Sequence, residues 1–197
     1  GADAAAAATA GAAAAPAEEL ACMQLRGALT ALPASREARG ASLGRVLLVR
    51  VHVRDMGHYA ALNRVYAELM AAAVAAPAAR VCVGLPLAAG VHVSLEVLAA
   101  AGRAPKRHLR VQSISEWAPR MIGPYCQLTA HGGIARTAGN LGFDSATMEL
   151  VSGGVRAECR AALAHCAAVL CAEGFAPRAA TQLLVCHVGA TNARAVG

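Results

Sequence analysis

Apolar positions recur along this chain at two spacings, and the change of spacing marks the change of element. Leu20, Met23, Leu25, Leu29 and Leu32 return every three or four residues up to Pro33. They follow Glu18 and Glu19, whose charges suit the positive end of a helix. This predicts a helix from residue 17, then a polar loop over 33–43 that contains Gly40. Residues 45–53, RVLLVRVHV, alternate faces instead and predict a strand with one largely apolar side. A turn at 54–57 leads to a second amphipathic helix carrying Tyr59, Leu62, Val65, Tyr66 and Leu69, which ends before Pro77. Residues 80–85 and 91–98 read as two strands joined in a hairpin-like manner by 86–90. The first half is therefore expected to run α-β-α-β-β.

Residues 101–106 contain Gly102 and Pro105 and read as a linker. Beyond it, 108–114 has the composition of a short strand and 117–124 that of a Pro-containing loop. Residues 126–130 and 134–138 flank His131-Gly132-Gly133, a tight hairpin signal. A helix is predicted over 155–171, with Leu163, Cys166, Val169 and Leu170 on its apolar side, and a last strand over 182–188. Arg26-Gly27-Ala28-Leu29 in the first helix is echoed by Arg160-Ala161-Ala162-Leu163 in this one. Each helix leads through a loop to a Val/Leu run carrying a His. The fold class expected is α+β: two divergent, incomplete units, each a mixed sheet with helices packed on one face. The boundaries are a low-complexity Ala-rich segment at 1–16, a first unit at 17–102 and a second at 103–197.

Composition narrows this. Of the 197 residues 57% are hydrophobic but only 3% aromatic, and about a quarter are Ala, so Leu, Val, Ile and Met must supply the core. Seven Cys are too sparse, and odd in number, for a disulfide scaffold. With no secretion signal they point to a reducing, cytoplasmic setting. The longest aliphatic runs are strand-sized, so no membrane partner is expected. The net charge of +6 comes with 17 Arg and a single Lys, Lys106. No basic run interleaves with aromatics, which argues against a nucleic-acid partner. His and Cys show no CxxC or HxxxH spacing, so no metal site is assigned, and no nucleophile-elbow pattern is present. The chain begins with Gly rather than Met, and a piece of a longer protein is expected.

Several segments resemble the Rid (YjgF-like, reactive-intermediate deaminase) family: VHVRDM at 51–56, then Tyr59, Asn63, Tyr66 and Leu69, then PAARVCV at 77–83 and VHVSLEV at 91–97. Residues 17–100 are similar to everything after that family's opening hairpin. Ile122-Gly123-Pro124-Tyr125-Cys126-Gln127 is similar to its N-terminal signature and Ala138-Gly139-Asn140-Leu141-Gly142 to its second strand. The run LRVQSISEWAP at 109–119, continuing to Tyr125, resembles the junction between two Rid-like domains in the C-terminal region of eukaryotic diphthine–ammonia ligases. The resemblance implies a chorismate-mutase-like fold whose first unit lacks the opening hairpin and whose second lacks the closing strands.

It also implies a site. In Rid enzymes, which hydrolyse 2-imino acids, the matching Arg clamps the substrate carboxylate and an acid positions the attacking water. These roles fall on Arg80 and Glu96 as catalytic residues, with Asn63, Cys82 and Tyr125 completing substrate binding beside Arg80. By residue type alone, Arg80 and Glu96 equally suit ion pairing, and Cys82 and Tyr125 suit packing. The family pocket lies between subunits of a trimer, so self-association as a trimer or pseudo-trimer is implied, with Arg80 and Tyr125 drawn from different units. In the ligases a separate domain uses ATP to activate the diphthine carboxylate of elongation factor 2. Its Ser-Gly-Gly-Lys-Asp-type loop has no counterpart here: Ser152-Gly153-Gly154-Val155 has the glycines alone. No cofactor is expected in this chain, ATP and elongation factor 2 being implied only for the parent. Three readings follow: a non-ATP-binding Rid-like region of such a ligase, a free-standing 2-imino acid deaminase, and an inactive oligomerisation module.

Overall fold

The computed structural model describes residues 16–34, 42–73, 76–101, 104–189 and 192. The Ala-rich segment, save Pro16, and most of the 33–43 loop lie outside the described residues. Helix α1 (Ala17–Ala31) buries Ala21, Leu25 and Leu29, a stripe at four-residue intervals. Strand β1 (Val46–Val53) is followed by helix α2 (Tyr59–Ala73) and strand β2 (Ala79–Gly84), then by β3 (Val93–Ala99). The sheet order is β2-β1-β3, with β2 parallel and β3 antiparallel to β1. Both helices pack on the face of β1 that presents Val49, Val51 and Val53, where Tyr66, Leu62 and Met70 close the core.

The hairpin-like link expected between β2 and β3 is not a hairpin. β1, the most apolar of the three strands, takes the central place, where both edges and nearly every side chain are buried. The helical crossover α2 makes β2 parallel, as such a connection requires. β3 must then take the other edge. The link between them is pinned from β1: Arg54 donates through Nε to Val91 O at 2.9 Å and through Nη2 to Leu87 O at 2.6 Å, and also to Ala88 O. From α1, Gln24 accepts from the backbone N–H groups of His92 and Val93 at 2.7 and 3.1 Å.

The second sheet, β4 (Arg107–Leu109), β5 (Leu128–His131) and β6 (Ile134–Thr137), is antiparallel in that order. Gly132 and Gly133 turn the β5–β6 hairpin with φ of 58° and 79°, a left-handed pair that side chains resist. Helix α3 (Gly154–Ala172) buries His165 and Val169. Two strand expectations fail here. β4 ends at Leu109 rather than Ile114, and 182–188 forms no ladder. Leu183, Leu184 and Val188 stay 62%, 60% and 88% exposed. That run has a strand's composition, but a strand also needs a partner edge for its N–H and C=O groups, and among the described residues it pairs with none.

The two parts are joined through β2. Cys126 N–H donates to Ala78 O at 3.1 Å, Gly139 N–H to Arg80 O at 3.0 Å, and Cys126 forms a parallel bridge with Ala79. Thr129, fully buried, donates to Leu47 O at 2.7 Å, and Lys106 Nζ donates to Val46 O and Ala76 O at 3.1 and 2.6 Å. No helix among the described residues is long and apolar enough to cross a membrane.

Candidate functional site

Arg80 stands at this joint. The register sets it opposite Val49, on the face of the sheet that the helices cover, and it is only 5% exposed. Its Nη1 donates to Asn63 Oδ1 at 2.8 Å and its Nη2 to Tyr59 Oη at 3.0 Å. Three rings surround the guanidinium: Tyr66 at 4.8 Å, Tyr125 at 5.0 Å and Tyr59 at 5.8 Å from Cζ to ring centre. These are all the tyrosines of the chain. Each ring face offers about 0.5–2 kcal/mol to a cation, less than a carboxylate would, and none of them carries a charge. Among the described residues no carboxylate forms an ion pair with Arg80. A buried cation without an anion is costly, so the site is electrostatically unfinished.

A cavity of about 10 Å³ opens beside it, room for one water-sized group, lined by Tyr59, Asn63, Tyr66, Arg80 and Cys82 among others. Burial pushes the Tyr66 phenol up to about 12, against the pull of Arg80. Burial likewise raises the Cys82 thiol, which Arg80 only partly offsets, so Cys82 stays protonated near neutral pH. Burial also raises Tyr125, whose hydroxyl accepts from Ile122 N–H at 3.4 Å. The rest of the lining is Leu25, Val51 and Leu62, so the space is mostly apolar and includes no Asp, Glu or His. Gly123 lies against the guanidinium: a Cβ there would lie 2.7 Å from Arg80 Nη2 and 3.0 Å from Asn63 Oδ1, so a side chain at this position would push Arg80 aside.

Of the residues singled out in the sequence, the structure brings Arg80, Asn63, Cys82 and Tyr125 together and leaves Glu96 apart. Glu96 stands opposite Arg50, on the face of the sheet away from the two helices, and forms an ion pair with it. Neighbouring β1 positions point to opposite faces, so a residue opposite Val49 and one opposite Arg50 cannot share a site on one sheet. Within one chain, therefore, Glu96 does not stand beside Arg80. Glu96 lines instead a separate cavity of about 300 Å³ with Arg50, Arg136 and Gln182. Tyr59 and Tyr66, family-like positions on the second amphipathic helix, receive no site role from the sequence. Their signal was spacing: Tyr59, Asn63 and Tyr66 at i, i+4 and i+7 put three polar-tipped side chains on one helix face.

Residues 6–102 match the profile of the family described as endoribonuclease L-PSP, and this half of the chain is a Rid-like region. Over 111 residues the chain is 33% identical to the diphthine–ammonia ligase of Schizosaccharomyces pombe, a stretch that covers 56% of this chain and 18% of that protein. The chain thus spans less than a fifth of that relative's length. No solved structure gives a significant match. The family match ends before Gly123 and Tyr125, so the site is built from the matched region and from the segment that docks onto it.

Proposed function

We propose that this chain is a Rid-like, carboxylate-binding module of a diphthine–ammonia ligase-like protein, which holds an acidic ligand at Arg80 while the chemistry is done elsewhere in the parent. One observation carries this reading: a guanidinium 5% exposed, ringed by three tyrosines and lacking a carboxylate partner among the described residues. A ligand carboxylate is the group that would neutralise it with paired hydrogen bonds. The likeness to a ligase acting on diphthine and ammonia, an amide-forming pair, supports a carboxylate ligand in that setting. Self-association is part of the proposal and is in keeping with the Rid-like region.

The deaminase reading is the weaker one, because hydrolysis needs a base beside the clamped substrate. The cavity supplies phenols, an amide and a protonated thiol, while Glu96 is on the other face. The test is a titration of the full chain with acetate, followed by calorimetry, on the wild type and Arg80→Met. Replacing an unpaired buried charge by an apolar side chain of similar length should leave stability equal or higher. Acetate affinity should fall at least about tenfold. Equal affinity in Arg80→Met, or no binding by the wild type, overturns the reading. Ammonia release from a freshly generated 2-imino acid would reinstate the deaminase.

A further inference from the structure

Tyr66 has a polar group that nothing described so far uses. Tyr59 Oη accepts from Arg80 and Tyr125 Oη accepts from Ile122 N–H, but Tyr66 Oη is buried without a hydrogen-bond partner. The residue is 1% exposed, and its ring lies 4.8 Å from Arg80 Cζ and lines the same cavity. A buried unpaired hydroxyl is costly enough that native proteins rarely keep one without a purpose. Arg80 is under-used as well: a guanidinium has five N–H groups, and two bonds from it are formed. Arg80 and Tyr66 thus flank one mostly apolar space of about 10 Å³, which Leu25, Val51 and Leu62 also line. The acceptors nearest to hand, Asn63 Oδ1 and Tyr59 Oη, are both already accepting from Arg80. Water placed there would bring two further hydrogens needing acceptors, whereas a carboxylate oxygen brings none.

We propose that Tyr66 is a second ligand-binding residue, its hydroxyl donating to an oxygen of the same carboxylate that Arg80 binds. The volume admits one oxygen-sized group, so a single carboxylate oxygen enters it and the rest of the ligand lies outside. This inference rests on the carboxylate reading of the site, and its failure can be told apart from failure of that reading.

The experiment compares the full chain with Tyr66→Phe, which removes one oxygen and keeps the ring, by acetate titration and by thermal melting without ligand. One hydrogen bond to an anion predicts about tenfold weaker acetate binding. Losing an unpaired hydroxyl should leave the unliganded Tm unchanged or higher. Acetate affinity within about twofold of the wild type overturns the role of Tyr66 while leaving the Arg80 clamp standing. Absence of binding in the wild type overturns both. Because all three tyrosines surround Arg80, a tyrosine ultraviolet difference spectrum reports on this site. A wild-type band that grows with acetate and saturates, and that shrinks in Tyr66→Phe, supports the proposal. Binding without one overturns it, even if Tyr66→Phe fails to fold.

Discussion

The sheet β2-β1-β3 is sealed by two helices, and Val49, Val53, Leu25, Leu29 and Tyr66 are at most 1% exposed. The sheet β4-β5-β6 has one helix and a small core of Val111, Ala118 and Val169, while Leu141, Leu150 and Leu163 remain 55%, 56% and 41% exposed. The first region is held by its own apolar burial. The second is anchored to the first by polar bonds through Cys126, Gly139, Thr129 and Lys106 and by an apolar cluster of Leu48 and Ala79 with Tyr125 and Ala138. The difference bears on function because the ligand site lies where the two meet. Arg80, Asn63 and Tyr66 belong to the well-buried part, while Gly123 and Tyr125 come from the part that must dock.

The largest effect expected tests that asymmetry directly. Leu25→Ala, in the first core, should cost about 3 kcal/mol, within the usual range for a buried leucine. Leu163→Ala, on the half-exposed side of α3, should cost under about 1 kcal/mol. Urea unfolding midpoints of the two variants check this. Equal losses would mean that the second region has a core of its own.

A pH titration of stability sharpens the same contrast. Tyr66 goes from an ordinary value of 10 to about 12 in the folded first region. The folded state therefore keeps its proton where the unfolded state has lost it, and stability falls as pH rises from 10 to 12. The shift corresponds to about 3 kcal/mol at most. In the second region Asp144 moves the other way, its carboxylate held low by the N–H groups of Thr147 and Ala146. Its contribution is present above the ordinary carboxylate range and fades as pH falls through the lowered folded value. Hydrogen exchange should therefore show the first region loosening in alkali and the 143–150 turn in acid. Tyr66→Phe should shrink the alkaline loss; if it does not, Tyr66 is not the group responsible.

How far the sequence reveals this molecule depends on whether a feature is local. The helices at α1, α2 and α3, the strand β1 and the Gly132-Gly133 hairpin were legible, because periodicity and turn chemistry are written into consecutive residues. Strand order was not: nothing in 79–99 alone says that β1 lies between β2 and β3. For the same reason 182–188 looked like a strand yet pairs with nothing. Arg80, Asn63, Cys82 and Tyr125 were reachable through family-like motifs. The face occupied by Glu96 was not, since it depends on register against Arg50 rather than on β3 itself. Tyr66 was visible as a core residue, but a hydroxyl without a partner is a three-dimensional fact.

The smallest effect expected is the sharpest on independence of the two sheet faces. Glu96 pairs with Arg50, and its side chain is 59% exposed, so solvent screens the pair to a contribution of about 0–1 kcal/mol. Glu96→Gln should therefore barely move the urea midpoint, and it should leave acetate affinity at Arg80 unchanged, because β1 itself separates the two positions. A binding loss as large as that of Tyr66→Phe, with stability intact, would show that Glu96 reaches the ligand by another route. The Glu96 carboxylate of a second copy would be the first place to look, since self-association could bring one chain's exposed Glu96 to another chain's site. An unchanged titration would instead show that Glu96 takes no part in holding the carboxylate at Arg80.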